Sequence, residues 1–398
     1  MRPERLARAE FIPLIAMLVA TTAFSIDSML PAMTTIAAEL TPDMPNRAQL
    51  VVTIFVLGMG LGTFFVGAVA DAYGRRPVII VGAVLYIAAS ILAYFAASLD
   101  TLLAARFIQG IAAAIPRVAA NAVIRDLYAG RHMASIMSLI LVVFTLVPVM
   151  APALGAVVIN AFGWRALFVS FVVFMGLSAA WFAVRQAETL DPADRRPLKL
   201  ATFTRGFVEV LSNRKVALAI LAQCFVFGVL FTLLTTTQPV FVVTFDDEAG
   251  FPLWFGLVAL ISASGAYLNS RIVERVGMRN VVFRAMMALG AAAALYGVVL
   301  ATSGLPPVLA FPAYVGFMIA VFMTISFSIG NLNSLAMEPM GHLAGMAASV
   351  ILAISTAGGA ILGSVPAVFF DGTPLVPAIL VAVYCVGVVL SLRWVAND

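Results

Sequence analysis

Three ionisable residues lie inside long apolar stretches of the sequence, where a charged group is costly and therefore marks a candidate functional position. Asp27 is the only acid deep within such a stretch, and Arg106 and Arg117 lie within another. A buried carboxyl group can change its protonation state because burial disfavours its charge, whereas a nearby guanidinium favours that charge. Asp27 and Arg106 therefore suggest proton coupling. The alternative is an ion pair that only holds two helices together.

The composition indicates which elements must position these charges. Of the 398 residues, 63% are hydrophobic and 11% are charged, compared with roughly 25% charged residues in soluble domains. A soluble protein of this size could not cover its surface with so few charges. The sequence therefore predicts an all-α polytopic membrane protein, and it excludes a cytosolic enzyme, a disordered chain and a disulfide scaffold as leading interpretations.

Twelve apolar runs are long enough to cross a bilayer, which takes about 20 residues. They divide six and six around a polar stretch, which predicts an N-terminal six-helix bundle at 1–185, a cytoplasmic linker at 186–214 and a C-terminal six-helix bundle at 215–398. The predicted spans are 11–37, 48–70, 77–97, 101–124, 133–161, 164–184, 215–244, 252–272, 280–302, 306–332, 343–369 and 373–395.

Basic residues are distributed unevenly between the two sides of the predicted membrane. Nineteen of the 23 Lys and Arg residues fall in loops on the side of the two termini, whereas the opposite loops hold only Arg47 and Arg165. Because cytoplasmic loops are enriched in Lys and Arg, this distribution predicts that both termini and the central linker are cytoplasmic.

A short motif recurs at matching positions in the two halves. The loop after the second span contains Asp71-Ala-Tyr-Gly-Arg-Arg76, and the loop after the eighth contains Glu274-Arg-Val-Gly-Met-Arg279, 203 residues later. The shared pattern, an acid followed by Gly and Arg at fixed spacing, predicts an internal duplication. Such duplicated halves are common in transporters, which bind substrate between the halves near the middle of the membrane.

Several segments resemble motifs of the major facilitator superfamily. Residues 67–77 (GAVADAYGRRP) look like its loop signature, 106–110 (RFIQG) resemble its span-four motif, and 148–155 (PVMAPALG) resemble its antiporter motif in span five. Residues 27–31 (DSMLP) and 333–345 are similar to the Bcr/CflA branch of drug:proton antiporters, which includes MdfA-like proteins and phenicol exporters.

The resemblance implies a twelve-helix, six-plus-six fold in the bacterial inner membrane. It implies efflux of small amphipathic drugs, such as phenicols, in exchange for protons, with Asp27 as the proton carrier and Arg106 in coupling. Two alternatives remain open: export of an endogenous metabolite, sugar or siderophore by the same antiport, and a membrane scaffold or sensor without flux. We expect no enzymatic activity, cofactor, metal or nucleic-acid partner. The expected partners are drug, protons and lipid, and the chain is expected to be monomeric.

Two groups of candidate residues follow from these interpretations. Those expected to contact substrate are Asp27, Met29, Phe55, Arg117, Asn121, Phe231, Gln238 and Asn333. Those expected to act in gating are Asp71, Gly74, Arg75, Arg76, Asp126, Pro148, Pro152 and Gly155. Arg117 either contacts an anion or the substrate, or it extends toward the membrane surface or pairs with an acid in a loop. Val19 occupies the position where MdfA-like relatives carry a second acid, which argues against coupling to two protons.

Overall fold

The computed structural model describes residues 6–195, 200–302 and 304–395, and these residues contain α-helices and short 3-10 helices but no strand. The α-helices are α1 Arg8–Asp27, α2 Met33–Leu40, α3 Leu50–Tyr73, α4 Arg75–Tyr94, α5 Leu99–Leu127, α6 Gly130–Phe162, α7 Ala166–Arg185, α8 Leu200–Ser212, α9 Arg214–Val243, α10 Phe251–Val276, α11 Met278–Thr302, α12 Pro307–Met337, α13 Ala344–Gly363, α14 Pro366–Phe369 and α15 Leu375–Arg393. The 3-10 helices are Leu30–Ala32, Pro45–Gln49, Pro192–Asp194 and Glu338–Leu343.

Eleven stretches of the described chain are long and apolar enough to cross a membrane. The longest, Pro307–Phe369, has 63 residues and would extend about 95 Å as one helix, three times the thickness of a bilayer core. It contains α12 and α13, which the 3-10 helix Glu338–Leu343 separates. Counting these as two spans gives the twelve that the sequence predicts.

Part of the predicted cytoplasmic charge lies outside the described residues. This applies to Arg2, Arg5, Arg196 and Lys199, and the side chains of Arg131 and Arg205 are likewise not described.

The first predicted span is broken near its C-terminal end. The α-helix α1 ends at Asp27, the 3-10 helix Leu30–Ala32 follows, and α2 begins at Met33. Pro31 explains the break, because proline has no backbone N–H to donate and disfavours helical conformation in the preceding residue. The run 11–37 is therefore two helices, and Asp27 is the last residue of the first.

By contacts, the chain divides into two compact units. The first comprises Met1–Met29 and Ile54–Thr204, and the second comprises Leu30–Thr53 and Arg205–Asp398. The connection between α1 and α3 thus packs with the second unit. The bundle and linker boundaries at 185 and 215 stay predictions of the sequence.

The helices pack in corresponding patterns within the two units. In the first, α1 packs against α5, α6 and α7, and α4 packs against α5 and α7. In the second, α9 packs against α12, α13 and α15, and α11 packs against α12 and α15. Matching α1 with α9, α4 with α11, α5 with α12, α6 with α13 and α7 with α15 reproduces each of these five pairs. This correspondence supports the predicted duplication.

Glycine makes the same turn at both copies of the repeated motif. Gly74 lies between α3 and α4 with φ +103°, and Gly277 lies between α10 and α11 with φ +82°. Backbone with such positive φ favours glycine because a Cβ atom would clash there. The repeat therefore encodes a sharp turn between consecutive helices.

Candidate functional site

Asp27 is buried at the break in the first span. It is 4% exposed, and within the described part of the chain its carboxyl group takes part in no hydrogen bond or ion pair. The C-terminal end of a helix carries partial negative charge, so the dipole of α1 does not stabilise a carboxylate at Asp27. The break therefore holds an ionisable acid without a compensating cation.

Gly155 of α6 packs directly on this break. A Cβ atom at Gly155 would overlap the carbonyl oxygen of Ser28, the residue after Asp27. Close approach of this kind is typical of membrane helices, where small residues allow backbones to touch. Pro152 and Pro148 lie about one and two turns earlier, within the same helix. The segment that resembles the antiporter motif thus contacts the chain next to Asp27.

Arg106 lies fully buried in α5 and binds the same segment of α1. One guanidinium nitrogen donates to Oε1 of Gln109 at 2.7 Å, and another donates to the carbonyl oxygen of Ser25 at 3.1 Å. The guanidinium carbon lies 4.2 Å from the ring centroid of Phe55, a cation–π contact. In the described structure no ion pair joins Arg106 to Asp27. The two residues are linked through the backbone of α1 instead.

A chain of hydrogen bonds extends this contact to α4. The amide nitrogen of Gln109 donates to Ser90 Oγ at 2.7 Å, and Ser90 donates to the Tyr86 carbonyl at 2.8 Å. Tyr86 in turn shares a hydrogen bond with the Ser25 hydroxyl. The sequence analysis missed Tyr86 and Ser90 as candidates. Their spacing of four residues, which places both on one helix face, is the signal that could have found them.

Small residues bring α3 and α5 into contact beside this network. A Cβ atom at Gly58, Gly62 or Gly110 would overlap backbone of the facing helix. The close crossing places the Phe55 ring against Arg106. Phe55 therefore positions the arginine in this structure, whereas the sequence analysis expected it to contact substrate.

Arg117 and Asn121 line a cavity of about 330 Å³ within the first unit. A guanidinium nitrogen of Arg117 lies 3.4 Å from Met59 Sδ, and the Asn121 amide donates to the Arg117 carbonyl oxygen at 3.1 Å. The other lining residues are Val19, Ile124, Met137, Ser138, Ile140 and Phe144. The cavity thus brings together two predicted substrate contacts, Arg117 and Asn121, with Val19 of α1.

The predicted gating residues at the ends of α3, α4 and α5 converge on Arg75. Its guanidinium donates to Asp71 Oδ1 at 2.5 Å and to Asp126 Oδ2 at 3.0 Å. Arg76 donates to the carbonyl oxygen of Ala183 in α7 at 2.7 Å. Gly74 makes the turn that presents both arginines. The first copy of the repeated motif therefore joins four helices of the first unit.

Glu188, which the sequence analysis did not single out, completes this cluster. Its carboxylate accepts the backbone N–H groups of Arg75 at 2.9 Å and Arg76 at 3.1 Å, at the start of α4. Its neighbour Thr189 donates to Asp126 at 2.9 Å. A carboxylate at a helix N-terminus satisfies free N–H groups and complements the helix dipole. Glu188 and Thr189, at the start of the predicted linker, therefore contact the beginning of α4 and the end of α5.

The second copy of the motif keeps only part of this arrangement. Arg279 donates to the Leu392 carbonyl oxygen near the end of α15 at 2.9 Å, as Arg76 does to α7. Met278 occupies the place equivalent to Arg75. The ionic centre formed around Arg75 therefore has no counterpart at Met278.

The remaining predicted contacts are dispersed. Met29 is fully buried. In the second unit, Phe231 stacks on Phe227 with ring centroids 5.8 Å apart. The Gln238 amide nitrogen donates to Thr34 Oγ1 at 3.2 Å. Asn333 is partly exposed on α12. Within that unit these side chains do not share a described cavity.

Comparisons with known proteins agree with this architecture. Residues 14–364 match the family model described as Major Facilitator Superfamily. The chain is 30% identical over 364 residues to the bicyclomycin resistance protein homolog of Haemophilus influenzae, covering 90% of this chain and 88% of that protein. It is 27% identical over 376 residues to the chloramphenicol resistance protein of Pseudomonas aeruginosa, covering 89% and 85% respectively.

The fold is also similar to a solved structure. The crystal structure of a D-xylose–proton symporter superposes with a TM-score of 0.76 and 14% identity over 98% of both chains. At this identity the likeness concerns the fold alone. Together with the twelve apolar helices and the family match, it shows that the chain is a multi-pass membrane protein of the major facilitator superfamily.

Proposed function

We propose that this chain exports small amphipathic drugs, with phenicols as the leading example, from the bacterial cytoplasm in exchange for protons. The names of two relatives, a bicyclomycin resistance protein homolog and a chloramphenicol resistance protein, support drug efflux. In this proposal the chain is a transporter rather than an enzyme. It works as a monomer in the inner membrane, with both termini in the cytoplasm and without a cofactor.

The observation that carries the proposal is the environment of Asp27. A buried acid without a cation partner in the described structure can hold a proton until a bound substrate or a rearrangement changes its surroundings. Its place at the end of α1, against the close contact of α6 at Gly155, couples its surroundings to helix movement. Asp27 is therefore the proposed proton carrier.

Arg106 takes the coupling role in this scheme. It donates to the α1 backbone at Ser25, and it also contacts Gln109 of its own helix α5 and the Phe55 ring of α3. A shift of α1 against α5 therefore changes the distance between the guanidinium and Asp27. When the guanidinium approaches Asp27, it stabilises the charged carboxylate and drives proton release. When the guanidinium withdraws, proton uptake by Asp27 is favoured.

The cluster around Arg75 is the proposed cytoplasmic gate. Its ion pairs with Asp71 and Asp126 join the ends of α3, α4 and α5. Charged pairs that are partly shielded from water and share one guanidinium stabilise one arrangement of the helices that they join. Pro148 and Pro152 in α6 provide places where a spanning helix can bend.

Proton release from the purified protein in detergent tests the carrier role. Chloramphenicol is added to weakly buffered wild-type protein, to Asp27→Asn and to Asp43→Asn, in which an exposed acid outside α1 is changed. We expect the wild type and the Asp43 variant to release protons on binding, and the Asp27 variant to release none. Thermal stabilisation by the drug is measured in parallel to follow binding.

The outcomes separate the parts of the proposal. Drug binding without proton release by the wild type would contradict proton exchange, and equal release by Asp27→Asn would place the exchanged proton elsewhere. Absence of both binding and release would contradict chloramphenicol as a substrate and favour the export of an endogenous compound.

A further inference from the structure

The cavity beside Arg117 combines one cation with an apolar wall. Its guanidinium presents five N–H donors in a planar fork, yet the described contact of its side chain is with a thioether sulfur, Met59 Sδ. Sulfur of this kind is a weak acceptor. Within the described chain no carboxylate forms an ion pair with Arg117. The cation therefore has donors available at the cavity.

Polar and apolar groups divide the lining of this cavity. Asn121 lies one helical turn from Arg117 on α5 and uses its amide nitrogen on the Arg117 carbonyl oxygen. Val19, Ile124 and Phe144 supply apolar surface from α1, α5 and α6. A volume of about 330 Å³ is at the lower end of the roughly 300–1,000 Å³ typical of small-molecule sites. The lining suits an amphipathic ligand of one or two rings.

We infer that this cavity binds the head of an amphipathic substrate that bears a planar two-oxygen group, of which a carboxylate is the strongest example. Two oxygens in one plane match the guanidinium fork, so that two parallel hydrogen bonds form and neutralise a costly charge. The apolar body of the ligand then lies against Val19, Ile124 and Phe144. This inference deepens the proposed export function and rests on it for the direction of transport.

Val19 contributes to this selectivity because its side chain carries no charge. It lines the cavity with an uncharged side chain. A carboxylate there would compete with a ligand for Arg117 and would repel an anion. With valine, the positive charge of Arg117 faces the cavity without that competitor.

Matched probes test the inference by binding alone. The affinities of 2-naphthoate and its neutral analogue 2-naphthamide are measured by calorimetry for purified wild-type protein, Arg117→Gln and Arg125→Gln. Arg125 is exposed at the end of the same helix, so its variant is a matched control for loss of an arginine. We expect the wild type and the control to bind naphthoate roughly tenfold or more tightly than naphthamide.

Arg117→Gln is expected to lose this preference while it still binds naphthamide, which also shows that the variant is folded. Should that variant fail to fold, Arg117→Lys keeps the charge without the planar fork, and its preference should fall several-fold. Equal affinity of the wild type for both probes, or an unchanged preference in either Arg117 variant, would overturn the inference.

These results are independent of the proton-release test. Loss of proton release in the wild type with an intact naphthoate preference would contradict only the proposed exchange mechanism. Proton release through Asp27 without any naphthoate preference would contradict only the Arg117 site.

Discussion

At the scale of single residues, two buried ionisable groups differ in their contacts in the described structure, although both lie in apolar stretches of the sequence. Asp27 is without a cation partner, whereas Arg106 is engaged by a carbonyl oxygen, an amide oxygen and an aromatic face. The arginine is therefore held by directional contacts. Its geometry, and not only its charge, is expected to matter for coupling.

Arg106→Lys tests that expectation. Lysine keeps the positive charge, but one ammonium group cannot reproduce the planar fork that reaches Gln109 and Ser25 while it stacks on Phe55. Loss of one charge-assisted hydrogen bond, about 1.5–3 kcal/mol, predicts that drug exchange slows by roughly tenfold or more. The rate is measured as chloramphenicol exchange in proteoliposomes, with Arg125→Lys on the same helix as the control. A wild-type rate in Arg106→Lys would show that charge alone suffices.

At the scale of helices, α6 approaches the end of α1 most closely at a residue without a side chain. Gly155 lies against the Ser28 carbonyl oxygen, directly beyond Asp27. Added volume at such a contact forces the two backbones apart, because helices packed this closely have no free space to absorb it.

Gly155→Ala is therefore expected to destabilise the protein by about 1–3 kcal/mol, the range for an overpacked contact. It is also expected to impair exchange, because α6 moves away from the break at Asp27. Gly176→Ala in α7 is the control, since a Cβ atom there meets no atom within 4 Å. Thermal unfolding and exchange rates are compared in both variants. Equal behaviour of the two would show that the contact at Ser28 adapts without cost.

The helices also show how the two copies of the repeated motif differ in structure. Both copies make a glycine turn, and each anchors an arginine to a carbonyl oxygen, of α7 in the first unit and of α15 in the second. Only the first has Arg75 between two acids, and Glu188 accepts the backbone N–H groups there. The shared part of the motif is structural, and the added ionic part is the candidate gate.

At the scale of the whole molecule, the proposed exchange of one proton per substrate determines how the membrane potential affects transport. One charge crossing 100 mV corresponds to about 2.3 kcal/mol, and one pH unit to about 1.36 kcal/mol. A potential of about 150 mV with half a pH unit therefore supplies about 4 kcal/mol, enough for a roughly thousandfold gradient of a neutral drug. A monocation exchanged for one proton moves no net charge, and only the pH difference drives it.

We accordingly expect export of neutral chloramphenicol to respond to an imposed potential, and export of a monocationic drug to respond only to a pH difference. Proteoliposomes with potassium diffusion potentials at equal internal and external pH separate the two driving forces. Protein-free vesicles control for passive leakage. The same voltage response for both drugs would reject exchange of one proton.

The sequence by itself determined the membrane class, the twelve spans, the superfamily and the duplicated turn. These features depend on local properties: the length of apolar runs, the distribution of charge, and short motifs whose backbone requirements, such as the left-handed turn at Gly74, are local. It also singled out Asp27 and Arg75 as candidates, because a charge in an apolar run is visible without a fold and Arg75 lies in a segment that resembles the loop signature of the superfamily.

Only the tertiary structure decided which groups meet. In the described structure, Arg106 binds the Ser25 carbonyl oxygen rather than Asp27, and it lies against the Phe55 ring. Arg117, Asn121 and Val19 line one cavity. The tertiary structure also brought Glu188 to the start of α4. These contacts join residues that are far apart in the chain. Which residues meet depends on the rotation and close packing of the helices, and the hydrophobic pattern of a membrane-spanning helix does not specify either.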